Sequence, residues 1–327
     1  MRRISFSFLL LFTFFSINFV AAQEFFETAR NPALEQYKVK DALNFLAIGD
    51  WGRNGEYHQK PVANQMNIAS KTLGTDFIIS VGDNFYPDGV MSVQDPQWRQ
   101  SFEDIYSQYD LNIPWFVALG NHDYYGNIQA QIDYSKISRR WNLPSTYYSQ
   151  TVALPDDQGD VLLLFIDTNP FVTKYYNYEG MTAENVKKQD KAAQLQWLNN
   201  QLTNKPKTVK WVIVVGHHPL YSGGVRKTAK ETEDIRKVFE PIFQQHKVDA
   251  YLTGHEHDLQ IIQPKGMHTV QFISGAGSSI RPAGEREGTI FSVSDGGFMS
   301  FSLTAKQLYV QVINGKGQVL YHTVFKK

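Results

Sequence analysis

The segment DFIISVGD (76–83) is a short apolar run that stops abruptly at a glycine and an acid. Near-continuous apolarity over four to six residues fits a strand buried on both faces, as in a parallel sheet. Six more segments have the same make: NFLAIGD (44–50), PWFVALGNHD (114–123), VLLLFIDT (161–168), KWVIVVGHH (210–218), VDAYLTGHEHD (248–258) and TVQFISGAG (269–277).

Helical spacing lies between these strands. Val62, Met66, Ala69 and Leu73 recur at i, i+4, i+7 and i+11, with Pro61 suited to a first turn. Trp98, Phe102, Ile105 and Tyr109 repeat that spacing after Asp95 and Pro96, a cap and a first position. Leu195, Leu198 and Leu202 mark a third helix, and Ile235, Val238, Phe239, Ile242 and Phe243 a fourth. Alternation of strand and helix predicts α/β architecture. From residue 289 on, the chain is strand-rich, with turn signals at Asp295-Gly296-Gly297 and Asn314-Gly315. These antiparallel strands are expected to complete a second sheet. The result is one domain over 23–327, sheet packed on sheet with helices outside. Residues 170–190, polar and aromatic, are expected to form a long loop near the site.

The first residues are of a different kind. Arg2 and Arg3 precede an apolar run from Ile4 to Val20, followed by Ala21-Ala22-Gln23. That order predicts a signal peptide over 1–22, and so a secreted or periplasmic protein. An uncleaved membrane anchor is the alternative. No later segment reaches spanning length, so no membrane partner is expected after cleavage.

Without the leader, 30 basic residues face 32 acidic ones, since the full chain has 32 of each and loses two arginines. Near-neutral charge gives no electrostatic case for nucleic acid as a stable partner. The chain has no cysteine, which excludes disulfides, thiolate ligands and thiol nucleophiles. Any metal must be held by His, Asp, Glu, Asn or Tyr.

The chemistry-bearing residues gather where strands end. Asp50 follows the first apolar run, and Asp83, Asn84 and Tyr86 the second. Asn121, His122 and Asp123 follow the third; His217 with His218, then His255 with His257, follow later ones. Loops beyond the carboxyl ends of strands form the ligand crevice of α/β sheets. Each cluster alone also reads as turn chemistry. His217 and His218 also read as one core histidine and one surface histidine, Tyr86 as an aromatic plug, and Asp167 and Thr168 as structural. Five clusters in succession, all with oxygen or imidazole donors, point to a metal. Asp50, Asp83, Tyr86, Asn121, His217, His255 and His257 are too many for one tetrahedral ion. If one carboxylate is shared, two ions receive four protein ligands each.

The pieces GDWG (49–52), GDNFY (82–86), GNHD (120–123), GHHP (216–219) and GHEH (254–257) resemble the calcineurin-like metallophosphoesterases. More narrowly, they are similar to purple acid phosphatases of the small, tartrate-resistant type. The resemblance implies two mixed sheets packed as a sandwich and flanked by helices. It implies that Asp50, Tyr86 and His257 bind a ferric ion. Asn121, His217 and His255 would bind a divalent ion (iron, zinc or manganese), with Asp83 bridging. A phenolate from Tyr86 suits a ferric ion and implies a purple or pink colour. His122 would not be a ligand; it would face the substrate. The implied activity is hydrolysis of small phosphate monoesters by attack of metal-bound hydroxide. His122 and Asp83 are the catalytic candidates, and Glu256 is a second candidate proton donor or else a solvated turn residue.

One departure stands out. Similar phosphatases often carry a further histidine after GHHP, whereas here LYSGGVRKTAK (220–230) has none. Arg226, nearby, reads as an exposed arginine or a phosphate-binding cation, and is too basic to donate a proton. Three other functions stay open: a phosphodiesterase with the same metals, acting on nucleotides or lipid headgroups; a non-catalytic phosphate- or metal-binding module; and redox chemistry at a di-iron centre. A monomer is expected.

Overall fold

The structure, a computed structural model, describes residues 30–327. The expected signal peptide therefore lies outside the described residues. Strands β1 (Leu43–Ile48), β2 (Phe77–Ser80), β3 (Trp115–Val117) and β4 (Trp141–Asn142) run parallel and form one half of a sheet. A second sheet takes β5 (Tyr148–Ala153), β6 (Asp160–Phe165), β7 (Val209–Val215), β8 (Ala250–Thr253), β9 (Leu259–Ile262), β10 (Val270–Ser274) and β11 (Thr289–Val293). Its spatial order is β11-β9-β10-β8-β7-β6-β5, with a parallel centre from β6 through β7 and β8 to β10.

The chain end departs from expectation. Strands β12 (Gly297–Leu303), β13 (Gln307–Asn314) and β14 (Val319–Lys326) join the first sheet, in the order β14-β13-β12-β1-β2-β3-β4. Only β11 goes to the second. The open edge of β1 explains this. It accepts β12 antiparallel, with Phe45 opposite Phe301 and their rings stacked at 4.8 Å. Cross-strand aromatic pairs of this kind stabilise a sheet.

The two sheets share one apolar core. Phe301 of the first meets Phe272 of the second at 5.2 Å, edge to face. Gly49 N–H donates to Ser274 O at 2.7 Å, tying the end of β1 to the end of β10. That bond brings the carboxyl ends of the two sheets together.

Helices follow the apolar spacing where it is long. Helix α1 (Gln59–Leu73) buries Val62, Met66, Ala69 and Leu73 and stops at Gly74, whose φ of 74° suits a residue without a side chain. Helix α2 spans Ile128–Tyr134, α3 spans Met181–Lys187, α4 spans Lys191–Thr203 and α5 spans Lys230–His246. The spacing at 98–109 yields no regular helix. A single wide turn, Trp98–Glu103, is followed by irregular chain, and Tyr109 is 88% exposed. Trp98 stacks on Tyr134 and meets Trp141 edge-on, so ring packing sets the path of this turn. Residues 170–190 are also not a long loop. They hold the turn Thr173–Asn177 and helix α3.

Candidate metal centre

Five chain segments end at one point. Asp50 follows β1, Asp83 follows β2 and Asn121 lies beyond β3, while His217 follows β7 and His255 and His257 follow β8. All six side chains are buried. Asp50, Asp83 and His255 have φ of 57°, 53° and 68°, in the left-handed region. Non-glycine residues there are uncommon, and such strain collects at functional sites. Gly120 makes the room: a Cβ at that position would lie 2.2 Å from both the amide nitrogen and Oδ1 of Asp83.

The donor atoms face one another. Tyr86 Oη donates to Asp83 Oδ2 at 2.7 Å and lies 3.1 Å from Asp50 Oδ1 and 3.2 Å from His257 Nε2. His257 Nε2 is 3.3 Å from Asp50 Oδ1, and His217 Nε2 is 3.3 Å from Asp83 Oδ1. One ligand atom each from Asp50, Asp83 and His217 fits within 4.8 Å of the other two. Asn121 Oδ1 is buried with no hydrogen-bond partner among the described residues.

The far sides of the His217 and His255 imidazoles fix their tautomers. His217 Nδ1 lies 2.9 Å from the carbonyl of Val81, which only accepts, so Nδ1 carries a proton. His255 Nε2 lies 3.0 Å from Glu231 Oε1, again an acceptor. His257 Nδ1 is 2.7 Å from Ser279 Oγ. In their neutral forms His217 and His255 then turn lone pairs toward each other, with His255 Nδ1 3.2 Å from His217 Nε2. Two lone pairs at that distance need a proton or a cation between them. An orphaned amide oxygen, two carboxylates and paired imidazoles form a donor set that fits bound metal.

Electrostatics agree. Burial opposes charge on Asp83, but His217 and His122 outweigh it and hold the carboxyl well below its usual range. Burial likewise opposes charge on His217, yet Asp83 raises it to about 9, so a cation would displace a proton there. Burial, then Arg226, keep His255 neutral. Burial and the Asp50 and Asp83 charges raise the Tyr86 phenol well above its usual value, so only a cation would ionise it.

His122 stands beside this group. Its backbone N–H donates to Asp83 Oδ1 at 2.8 Å, and its ring lies 4.2 Å from that of Tyr86. Nδ1 is 2.5 Å from the carbonyl of Pro87, so Nδ1 is protonated and Nε2 is the ring's second nitrogen. Asp123 is wholly buried and accepts from Gly120 N, Asn84 N and Gln131 Nε2. Burial and the Asp83 charge push it up to about 7. It shapes the loop and touches none of the donor atoms just described.

Three expectations change. Glu256 is fully buried, accepts from Ser222 Oγ and Arg226 N, and pairs with Arg226 at 3.4 Å. It is not a solvated turn residue. Arg226 is not an ordinary exposed arginine, since Glu231 and Glu256 both bind its guanidinium. His218 is not on the surface: Thr168 Oγ1 and Tyr175 Oη each lie 2.7 Å from one of its ring nitrogens. Buried imidazoles of this kind are held by such pairs.

Sequence reasoning missed two neighbours. Arg53 places its guanidinium 3.6 Å from the centre of the Tyr86 ring. Glu231 reaches His255 from the first turn of α5. Arg53 directly follows GDWG in the loop after β1 and Glu231 opens a helix, and no spacing rule marks either.

Comparison with known proteins shows the family. The calcineurin-like phosphoesterase family matches residues 43–259. The chain is 37% identical over 302 residues to tartrate-resistant acid phosphatase type 5 of Sus scrofa, covering 86% of each. It is 36% identical over 334 residues to purple acid phosphatase 7 of Arabidopsis thaliana, covering 98% of this chain and 97% of the relative. Among solved structures, GAP50, the anchor in the inner membrane complex of Plasmodium, superposes with a TM-score of 0.76 at 26% identity, covering 88% of this chain and 89% of that one. A purple acid phosphatase from yellow lupin (Lupinus luteus) seeds superposes with a TM-score of 0.63 at 16% identity, covering 87% and 54%.

Proposed function

This chain belongs to the calcineurin-like phosphoesterases, and from that premise we propose that it is an exported acid phosphatase acting on small phosphate monoesters with two metal ions. The observation that carries the reading is the meeting of Asp83 with Tyr86 on one side and His217 on the other. Asp50, Tyr86 and His257 would hold a ferric ion. Asn121, His217 and His255 would hold a divalent ion: iron, zinc or manganese. Asp83 would serve both. Bound, the pair supplies Lewis acidity to the phosphoryl group and to water.

The chain's own residues do the rest. Asp83 orients His122 through its backbone N–H. His122 Nδ1 is engaged by Pro87, so Nε2 is the atom that holds a proton for the leaving oxygen. Arg53, stacked on Tyr86, adds positive charge beside the centre and favours a dianionic monoester. Glu256 is paired with Arg226, which Glu231 also binds. Among the described residues no helix is long and apolar enough to cross a membrane.

A non-catalytic role has one observation in its favour, the likeness to an anchor protein of Plasmodium. The donor set and His122 are all present here, which favours the enzyme. Turnover of an aryl phosphate monoester against the matching diester tests the reading. Monoester hydrolysis at the higher kcat/KM supports it. Preference for the diester reassigns the substrate class, and metal binding without hydrolysis of either favours the module.

A further inference from the structure

We propose that Glu231 is a positioning residue for His255, and through it for one of the two ions, with Lys174 and Arg226 as its anchors. The inference rests on the reading of the centre given above and goes beyond its ligand set. Glu231 is the second residue of α5 and is buried, at 6% exposure. Its Oε1 accepts from His255 Nε2 at 3.0 Å and from Arg226 Nε at 2.8 Å. Its Oε2 takes the ammonium of Lys174.

A carboxylate oxygen only accepts, so the proton of a neutral His255 stays on Nε2. Nδ1 is left bare and aimed at His217 Nε2. A carboxylate behind a ligating imidazole both fixes its orientation and raises its basicity. Among the described residues, the other rings beside His255 are the imidazoles of His217 and His218, which supply no carboxylate.

Glu231 is itself held from two directions. Lys174 comes from the turn Thr173–Asn177, which α5 grips a second time, because Thr173 N and Oγ1 both donate to Asp234 Oδ2, at 3.0 and 2.6 Å. Arg226 comes from the loop after His217 and is anchored in turn by Glu256. The carboxylate is thus clamped between two cations that leave one direction open, toward His255. This loop is the one that lacks the histidine common in similar phosphatases. Its arginine supports a ligand of the centre from behind.

The test is metal retention by the full-length holoenzyme, dialysed against buffers of graded free zinc, with iron and zinc per chain both read by mass spectrometry. Glu231→Gln and Glu231→Ala are compared with wild type, and Glu233→Gln, an exposed position on the same helix paired with Lys237, is the control. Wild type and the control are expected to hold two ions. In Glu231→Ala one ion should leave at a free zinc concentration ten- to a hundredfold higher, the range found for partners behind a ligating histidine. Glu231→Gln should shift the same ion by about tenfold, and it decides the matter alone if the alanine variant fails to fold. Folded variants with the wild-type zinc curve overturn the role of Glu231 and leave the proposed function standing. Wild-type protein that never takes a second ion overturns both.

Discussion

Asp83 Oδ1 and His217 Nε2 lie 3.3 Å apart, one at the end of a strand in the first sheet and the other at the end of a strand in the second. Asp83→Ala removes both carboxylate oxygens, one facing Tyr86 and one facing His217. Monoester turnover should fall by more than about a hundredfold, since even partners behind a ligand cost up to that much. The circular dichroism spectrum should be unchanged. A variant with half the wild-type rate would contradict a shared role.

Gly120 tests whether that carboxylate needs its space. A Cβ there would sit 2.2 Å from Asp83 Oδ1, so Gly120→Ala must displace the side chain or the loop. Overpacking of this kind costs about 1–3 kcal/mol, and a displacement near 1 Å about a hundredfold in rate. Denaturant unfolding and initial rates measure the two effects. Wild-type values for both would show that the loop yields freely.

Tyr86→Phe keeps the ring under Arg53 and removes only the hydroxyl that faces Asp50, Asp83 and His257. If that oxygen meets a ferric ion, the wild-type protein has a broad visible band and the variant has none. A band of equal strength in both would assign the colour elsewhere.

Asp167 gives a pH signature away from the donor atoms. It is fully buried, accepts from the Tyr124 hydroxyl and from Asn169, and is pushed up to about 6 by burial. A raised folded-state value means that ionisation favours the unfolded chain, whose aspartates titrate near 4. Its stabilising contribution is therefore complete below about pH 4 and lost as pH rises through about 6. Asp167→Asn does not titrate. The stability difference between variant and wild type should move toward the variant by roughly 2–3 kcal/mol between pH 4 and 7.5, the size of a two-unit shift. Paired unfolding curves at both pH values read this directly, and a constant difference would refute it.

Most of the architecture was legible because it depends on strand burial. Each of the seven apolar segments contains a strand, and five of them lead into the donor clusters that sequence had singled out. What was not legible came from long-range choices. The partner of β12 is settled by Phe45 and Phe301, far apart in the chain, and no local pattern announces it. The turn at Trp98–Glu103 looked helical because Trp98 and Phe102 keep helical spacing, while ring packing against Tyr134 and Trp141 overrode it. Glu256 read as a proton donor or a solvated turn residue, Arg226 as an exposed or phosphate-binding cation, and Glu231 drew no reading, because ion pairs between loops leave no periodicity in sequence.

The central claim is a pair of ions shared by donors from both sheets. Its most direct measurement is aryl phosphate turnover and metal content on one sample, stripped with a chelator and then titrated back. The account predicts no activity at zero occupancy and full recovery only as the second ion per chain is bound. Full turnover by the stripped protein, or recovery complete at one ion, would contradict it.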